Sequence, residues 1–122
     1  MRLAADRERV LLLCRPPDAA LVKSDIDFHT EVPCMVAAAL PDSDDLSASQ
    51  ITNFVADYHI TLIVLSDDAY RSASIIEAVS RAHSSGVRVR SMLSFYNNWI
   101  GKIPVRELEA TSLLFDVREI HQ

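Results

Sequence analysis

The chain has 122 residues, a net charge of -5 and only two glycines, Gly86 and Gly101. Two glycines fifteen positions apart cannot build a G-x-G-x-x-G fingerprint or a phosphate-cradling G-x-x-x-x-G-K-[ST] loop. The 49% hydrophobic and 24% charged composition suits one soluble domain over residues 1–122, and the longest apolar run, Cys34 to Leu40, falls far short of the roughly 20 residues of a membrane helix.

Val10 to Cys14 is a short continuous apolar run, the pattern of a strand buried on both faces of a parallel sheet. Pro16-Pro17-Asp18 stops it, and Val22, Ile26 and His29 then lie on one helical stripe, with Pro17 suited to a first turn. Ile26, Phe28, Thr30 and Val32 also alternate as a strand would. Cys34 to Leu40 is a second apolar run, closed by Pro41 and the polar loop Asp42 to Asp45. Ser47 and Gln50 match a capping box, and Ile51, Val55 and Tyr58, with Phe54 beside them, form the buried stripe of the helix that follows. Ile60 to Leu65 reads as a third buried strand. Ser66-Asp67-Asp68 is placed to cap the next helix, whose stripe runs Ala69, Ala73, Ile76, Val79 and Ala82, and Gly86 stands where a helix end needs a positive φ.

Val87 to Met92 alternates like a strand nearer an edge. Phe95, Tyr96, Trp99 and Ile100 form an aromatic patch at helical spacing, a packing surface or the face of a homodimer. Ile103 to Leu108 adds a short fifth strand, and Leu113 to Phe115 packs afterwards. Strands alternating with helices predict an α/β fold: a Rossmann-like, three-layer domain with a mostly parallel sheet of four or five strands and helices on both faces.

Charge is unevenly placed. No Lys or Arg occurs between Ser24 and Tyr70, while nine acids do, so this stretch is read as a solvated anionic face. The basic residues outside it are scattered among acids, which excludes the clustered cationic surface of a nucleic-acid binder. Cys14 and Cys34 have no metal-ligand spacing and read as buried thiols. His29, His59, His83 and His121 show no H-x-x-x-H pairing and belong at helix ends or on the surface.

A ligand of such a sheet lies outside the carboxyl ends of its strands. Here those ends carry Arg15 with two prolines, then Asp42, Asp44 and Asp45, then Ser66, Asp67 and Asp68, and finally Ser91 to Ser94. The two prolines remove N–H donors where a pyrophosphate would approach, and five acids oppose one arginine in the first three loops. A phosphoacceptor site would need an acidic pair after the first strand, and a serine hydrolase would need G-x-S-x-G; neither is present. The candidate cofactor-binding residues are therefore Arg15 on a phosphate, Asp42 or Asp67 on ribose hydroxyls, and Ser66 beside them; no catalytic and no metal-ligating residue is assigned.

Gly86-Val-Arg-Val-Arg90, then Ser94-Phe-Tyr-Asn-Asn-Trp-Ile-Gly-Lys-Ile-Pro-Val105, Glu107-Leu-Glu109 and Leu113-Leu-Phe-Asp116, resemble the segment that precedes the catalytic region of bacterial polyprenyl-phosphate sugar phosphotransferases. The order of strands and helices upstream resembles the Rossmann-like, coenzyme-A-binding-type domain of that family, although Cys14-Arg15-Pro16-Pro17 stands where its members commonly carry glycines. The resemblance implies a non-catalytic accessory domain, a fragment of a membrane-bound transferase of exopolysaccharide synthesis. The resemblance further implies a place on the cytoplasmic side of the inner membrane, with the membrane and catalytic regions of its own parent chain as partners. The implied Mg²⁺ belongs to that catalytic module, so no cofactor is expected in this segment. The competing expectation is a sensor of a nucleotide, nucleotide sugar or coenzyme A in the crevice.

Overall fold

The structure, a computed structural model, describes residues 7–28, 33–43 and 45–98. Four strands, β1 (Glu8–Leu13), β2 (Cys34–Leu40), β3 (Leu62–Leu65) and β4 (Arg88–Ser91), form one sheet in the order β2-β1-β3-β4 with every pairing parallel. Between them run α1 (Pro16–Phe28), α2 (Ala48–Asp57) and α3 (Ala73–Ser84), and α4 (Met92–Asn98) follows β4 directly. This is the expected α/β architecture, consistent with a Rossmann-like three-layer arrangement. The predicted fifth strand at 103–108 and the segment 113–115 lie outside the described residues, as do His29, Asp44, Trp99 and His121.

Strands β1 and β3 each have a neighbour on both sides, which is why they are apolar without interruption: Val10 to Leu13 and Leu62 to Leu65 are all buried. Their side chains alternate between two clusters. Val10, Leu12, Leu62 and Val64 pack with Val22 and Ile26 of α1 and with Met92, Phe95 and Tyr96 of α4. Leu11, Leu13, Ile63 and Leu65 pack with Ile51 of α2 and with Ile75, Ala78, Val79 and Ala82 of α3. Phe95 and Tyr96 are thus core side chains, 0% and 3% exposed, with rings edge-to-face at 6.4 Å between centroids. Asp25 departs from the solvated reading of the acidic stretch, being a carboxylate only 2% exposed on α1.

The capping box of α2 forms as the sequence suggests: the Gln50 N–H donates to Ser47 Oγ at 3.2 Å and the Ser47 N–H to Gln50 Oε1 at 2.8 Å. Tyr58, expected on the buried stripe, is 41% exposed because α2 ends one residue before it. After β3 the prediction shifts more. Ser66 does not cap a long helix; it caps one turn of 3₁₀ helix, Ala69–Arg71, its hydroxyl accepting the Ala69 N–H at 3.1 Å. Ser72, with extended backbone at φ -93° and ψ 120°, interrupts the chain, and its Oγ accepts the Ile75 N–H to start α3. Of the predicted stripe, Ala69, Val79 and Ala82 are buried, but after the restart at Ser72 the first turns of α3 bury Ile75 and Ala78 instead of Ala73, which is exposed, and Ile76, which is half-buried.

Helices α2 and α3 end alike. At α3 the Gly86 N–H reaches His83 O and the Val87 N–H reaches Ala82 O, both at 3.0 Å; at α2 the His59 N–H reaches Ala56 O and the Ile60 N–H reaches Val55 O. Both are Schellman ends, which place one residue at positive φ: Gly86 at 106° and His59 at 54°. His59 and His83 accordingly occupy helix ends, as their sequence context indicates.

Candidate functional site

The strand order reverses around β1, whose sequence neighbour β2 lies on one side and β3 on the other. In an open parallel sheet the crevice at such a reversal, outside the carboxyl ends of the strands, is where ligands bind. It is bounded here by Cys14 to Asp18 after β1, Pro41 to Ser43 after β2, and Ser66 to Arg71 after β3. The backbone holds these segments in register: the Cys14 N–H donates to Leu40 O at 3.2 Å and the Ser66 N–H to Leu13 O at 3.0 Å.

Of the four candidate residues, two come together. Ser66 Oγ donates to Asp42 Oδ2 at 2.5 Å across 24 residues of sequence, while also accepting from Ala69 N. Both side chains are half-buried. The hydroxyl proton is used to join the β2 and β3 loops, while acceptor sites remain on Ser66 Oγ and on the Asp42 carboxylate. Arg15 is engaged with a different carboxylate: its Nε donates to Asp18 Oδ2 at 3.3 Å, and its side chain is 59% exposed. Asp67 is exposed on the 3₁₀ turn, where its carbonyl accepts the Tyr70 N–H. The sequence reading passed over Arg71, the second basic residue at this end of the sheet; it pairs with Asp68 at 3.0 Å. Its position followed from a turn that no periodicity signals.

The start of α1 decides what this crevice can hold. A helix N-terminus after the first strand ordinarily offers free N–H groups and the positive end of a dipole to an anion. In this chain the first two helical residues are Pro16 and Pro17, which have no N–H, and the third is the carboxylate Asp18. The Ala19 N–H is already bonded to Arg15 O at 3.0 Å. Cys14 lies buried just before this start. A thiol beside an electropositive helix start is normally acidified. The Cys14 thiol is instead pushed up to about 12, first by burial, then by Asp18 and Asp42, with Arg15 only partly opposing them. Any phosphate brought here would meet the same carboxylates.

Among the described residues no group of three or more His, Cys, Asp or Glu side chains is arranged to hold a metal ion. An open hollow of about 560 Å³ lies away from the crevice, on the outer side of α1, lined by Ala20, Lys23, Ser24, Asp27 and Phe28. Lys23 and Asp27 pair across it at 2.9 Å. Cys14 and Cys34 are both free and buried, and burial also pushes the Cys34 thiol up, to about 11, against the influence of Arg7. No helix among the described residues is long and apolar enough to cross a membrane. Compared with protein-family models, with curated proteins and with solved structures, the chain gives no match in any of the three.

Proposed function

We propose that this chain is a non-catalytic accessory domain of a polyprenyl-phosphate sugar phosphotransferase, regulating or positioning the membrane and catalytic regions of its parent chain at the cytoplasmic face. The observation that carries the non-catalytic, non-cradling part of the reading is the start of α1: Pro16 and Pro17 withhold two N–H donors and Asp18 adds a carboxylate where a nucleotide phosphate would need the opposite. The transferase part rests on the resemblance over residues 86–116, of which Gly86 ends α3 and Arg88 to Ser91 form β4.

The purified chain, assayed with a nucleotide sugar and a polyprenyl phosphate, is expected to show no transfer. In a thermal-shift series with nucleotides, nucleotide sugars and coenzyme A at millimolar concentration it is expected to show no stabilisation, because a ligand bound only by the folded state must raise its melting temperature. A shift with any of these would replace the accessory reading by a ligand sensor. Sugar-phosphate turnover would remove the non-catalytic reading altogether. For the parent chain, in-frame removal of residues 7–98 from the natural gene is expected to lower exopolysaccharide yield while leaving the transfer chemistry detectable in membranes; an unchanged yield argues against an accessory role.

A further inference from the structure

Four sulfur-bearing side chains lie among the described residues, and their surroundings sort them. Cys14, Cys34 and Met92 are all buried. Both thiols are also held protonated, pushed up to about 12 and about 11, and a protonated thiol is a poor nucleophile. Met35 on β2 is half-buried, and a thioether has no proton to lose before it reacts. Of the described sulfurs, Met35 is therefore the one that a small oxidant in solution meets first. Its setting is specific. Met35 pairs with Arg9 across the β1–β2 ladder. Arg9 alternates with Val10 and so shares the face of Leu11 and Leu13, toward α2. There its Nε donates to Tyr58 O, at the end of α2, at 2.7 Å, and its Nη1 donates to Met35 Sδ at 3.5 Å. The backbone of Arg9 is tied as well: its N–H donates to Thr61 Oγ1 at 2.8 Å and its carbonyl accepts the Thr61 N–H at 2.9 Å. With the guanidinium anchored at Nε and the residue anchored at its backbone, Nη1 approaches the sulfur from one side. A thioether sulfur has two lone pairs, and oxygen added to one or the other gives the two epimers of methionine sulfoxide.

We propose that Met35 is a site of reversible oxidation by hydrogen peroxide, and that Arg9, by covering one lone pair of the sulfur, directs the oxygen to the other, so that one sulfoxide epimer predominates. In the step, the uncovered lone pair of Sδ attacks one peroxide oxygen, the O–O bond breaks, and the second oxygen takes the proton of the first and leaves as water. The sulfur loses two electrons and the peroxide gains them. A methionine sulfoxide reductase working with a dithiol reverses the change, giving thioether, disulfide and water. Arg9 is a positioning residue in this reaction, since the bond forms at the sulfur alone. The product sets a polar, chiral group in place of an apolar one where β1, β2 and the end of α2 meet.

Oxidation at Met35 is independent of the transferase reading: an unselective or unreactive Met35 removes this site alone, whereas sugar transfer removes only the accessory role. The test treats the folded 122-residue chain with hydrogen peroxide and follows oxygen uptake at Met35 and at Met92 by mass spectrometry. The tryptic peptide 24–71, which holds no methionine besides Met35, is then incubated separately with the two reductases, each specific for one epimer. Met35 is expected to oxidise roughly tenfold faster than Met92, and one reductase is expected to restore most of the peptide while the other restores little. Arg9→Ala, with unchanged circular dichroism, is expected to yield both epimers in comparable amounts. Equal restoration by the two reductases in the wild type overturns the proposal without recourse to any variant. So does oxidation of Met92 ahead of Met35, and so does a bias that persists in Arg9→Ala, which would place the selectivity in the strand rather than in the guanidinium.

Discussion

Three of the helices follow a strand across the sheet, yet only two of them begin on a hydrogen-bonding side chain. Ser47 and Gln50 satisfy each other's backbone at α2, and Ser72 does the same in part at α3. α1 has instead Pro16, Pro17 and Asp18. Prolines make a start by needing no partner at all, since their fixed φ suits the first turn and they bring no N–H to satisfy. The same crevice-side position that in a nucleotide-binding domain must stay chemically available is closed in this chain by covalent structure. Helices α2 and α3 are held at their starts by local bonds; α1 is held by what it buries, chiefly Val22 and Ile26.

That contrast can be tested by unfolding measurements. The largest losses are expected from Ile26→Ala in α1 and Ile75→Ala in α3, each about 2–5 kcal/mol in urea denaturation, because both side chains are fully enclosed and leave a cavity. Equal losses would show that both helices rely on their buried faces alike, with the difference between them confined to their starts. Next come the caps: Ser72→Ala and Ser47→Ala should each cost about 0.5–2 kcal/mol, whereas Arg15→Ala, which removes a largely exposed guanidinium from Asp18, should change stability by under about 0.5 kcal/mol. A large effect of Arg15→Ala would mean that α1 does have a side-chain cap.

Alkaline pH probes the same helix start. The Cys14 thiol is neutral in the folded protein up to about 12, against an ordinary value of 9.0. The folded state therefore holds a proton that the unfolded chain releases, and the stability contributed is complete below pH 9 and lost as pH rises towards 12. Cys14→Ala is expected to flatten the decline of the urea midpoint above pH 9. A wild-type thiol labelled rapidly at pH 8 without denaturant would contradict the closed, anionic character of the site. A change of opposite sign belongs to the helix ends: His59→Gly relieves a side chain held at φ 54° and should stabilise by about 0.5–1 kcal/mol, making α2 end as α3 does at Gly86.

Much of the fold was legible because it is written in local pattern. The apolar runs at Val10, Cys34 and Leu62 became strands, and Ser47 with Gln50 became a capping box. What escaped was set by competition between neighbours or by distant contacts. Ser66 and Ser72 are both plausible helix starts, and Ser72 won because the intervening Ala69–Arg71 closes a 3₁₀ turn with bonds three residues apart, using Ser66 for itself. The positive φ of His59 lacks a glycine to announce it. For the site, the two N–H donors missing from the start of α1 were visible in Pro16 and Pro17. The Asp42–Ser66 bond was not, since two side chains 24 positions apart meet only through the pairing of their strands with β1.

The central position of β1 also sets a schedule for the chain as it is made. β1 bonds β2 on one side and β3 on the other, and a parallel pair has no hairpin to form it quickly. At about 5–20 residues per second of translation, the interval between the emergence of Leu40 and that of Leu65 is roughly 1–5 s. During it the nascent β1–β2 pair presents the apolar edge of Val10 to Leu13 with nothing yet synthesised to cover it. Lengthening the loop between Pro41 and Ser47 would prolong that exposure as well as disturb the native contacts made from it, Asp42 to Ser66 and Leu46 to Ser74, so an insertion there acts on the growing chain and on the finished fold at once.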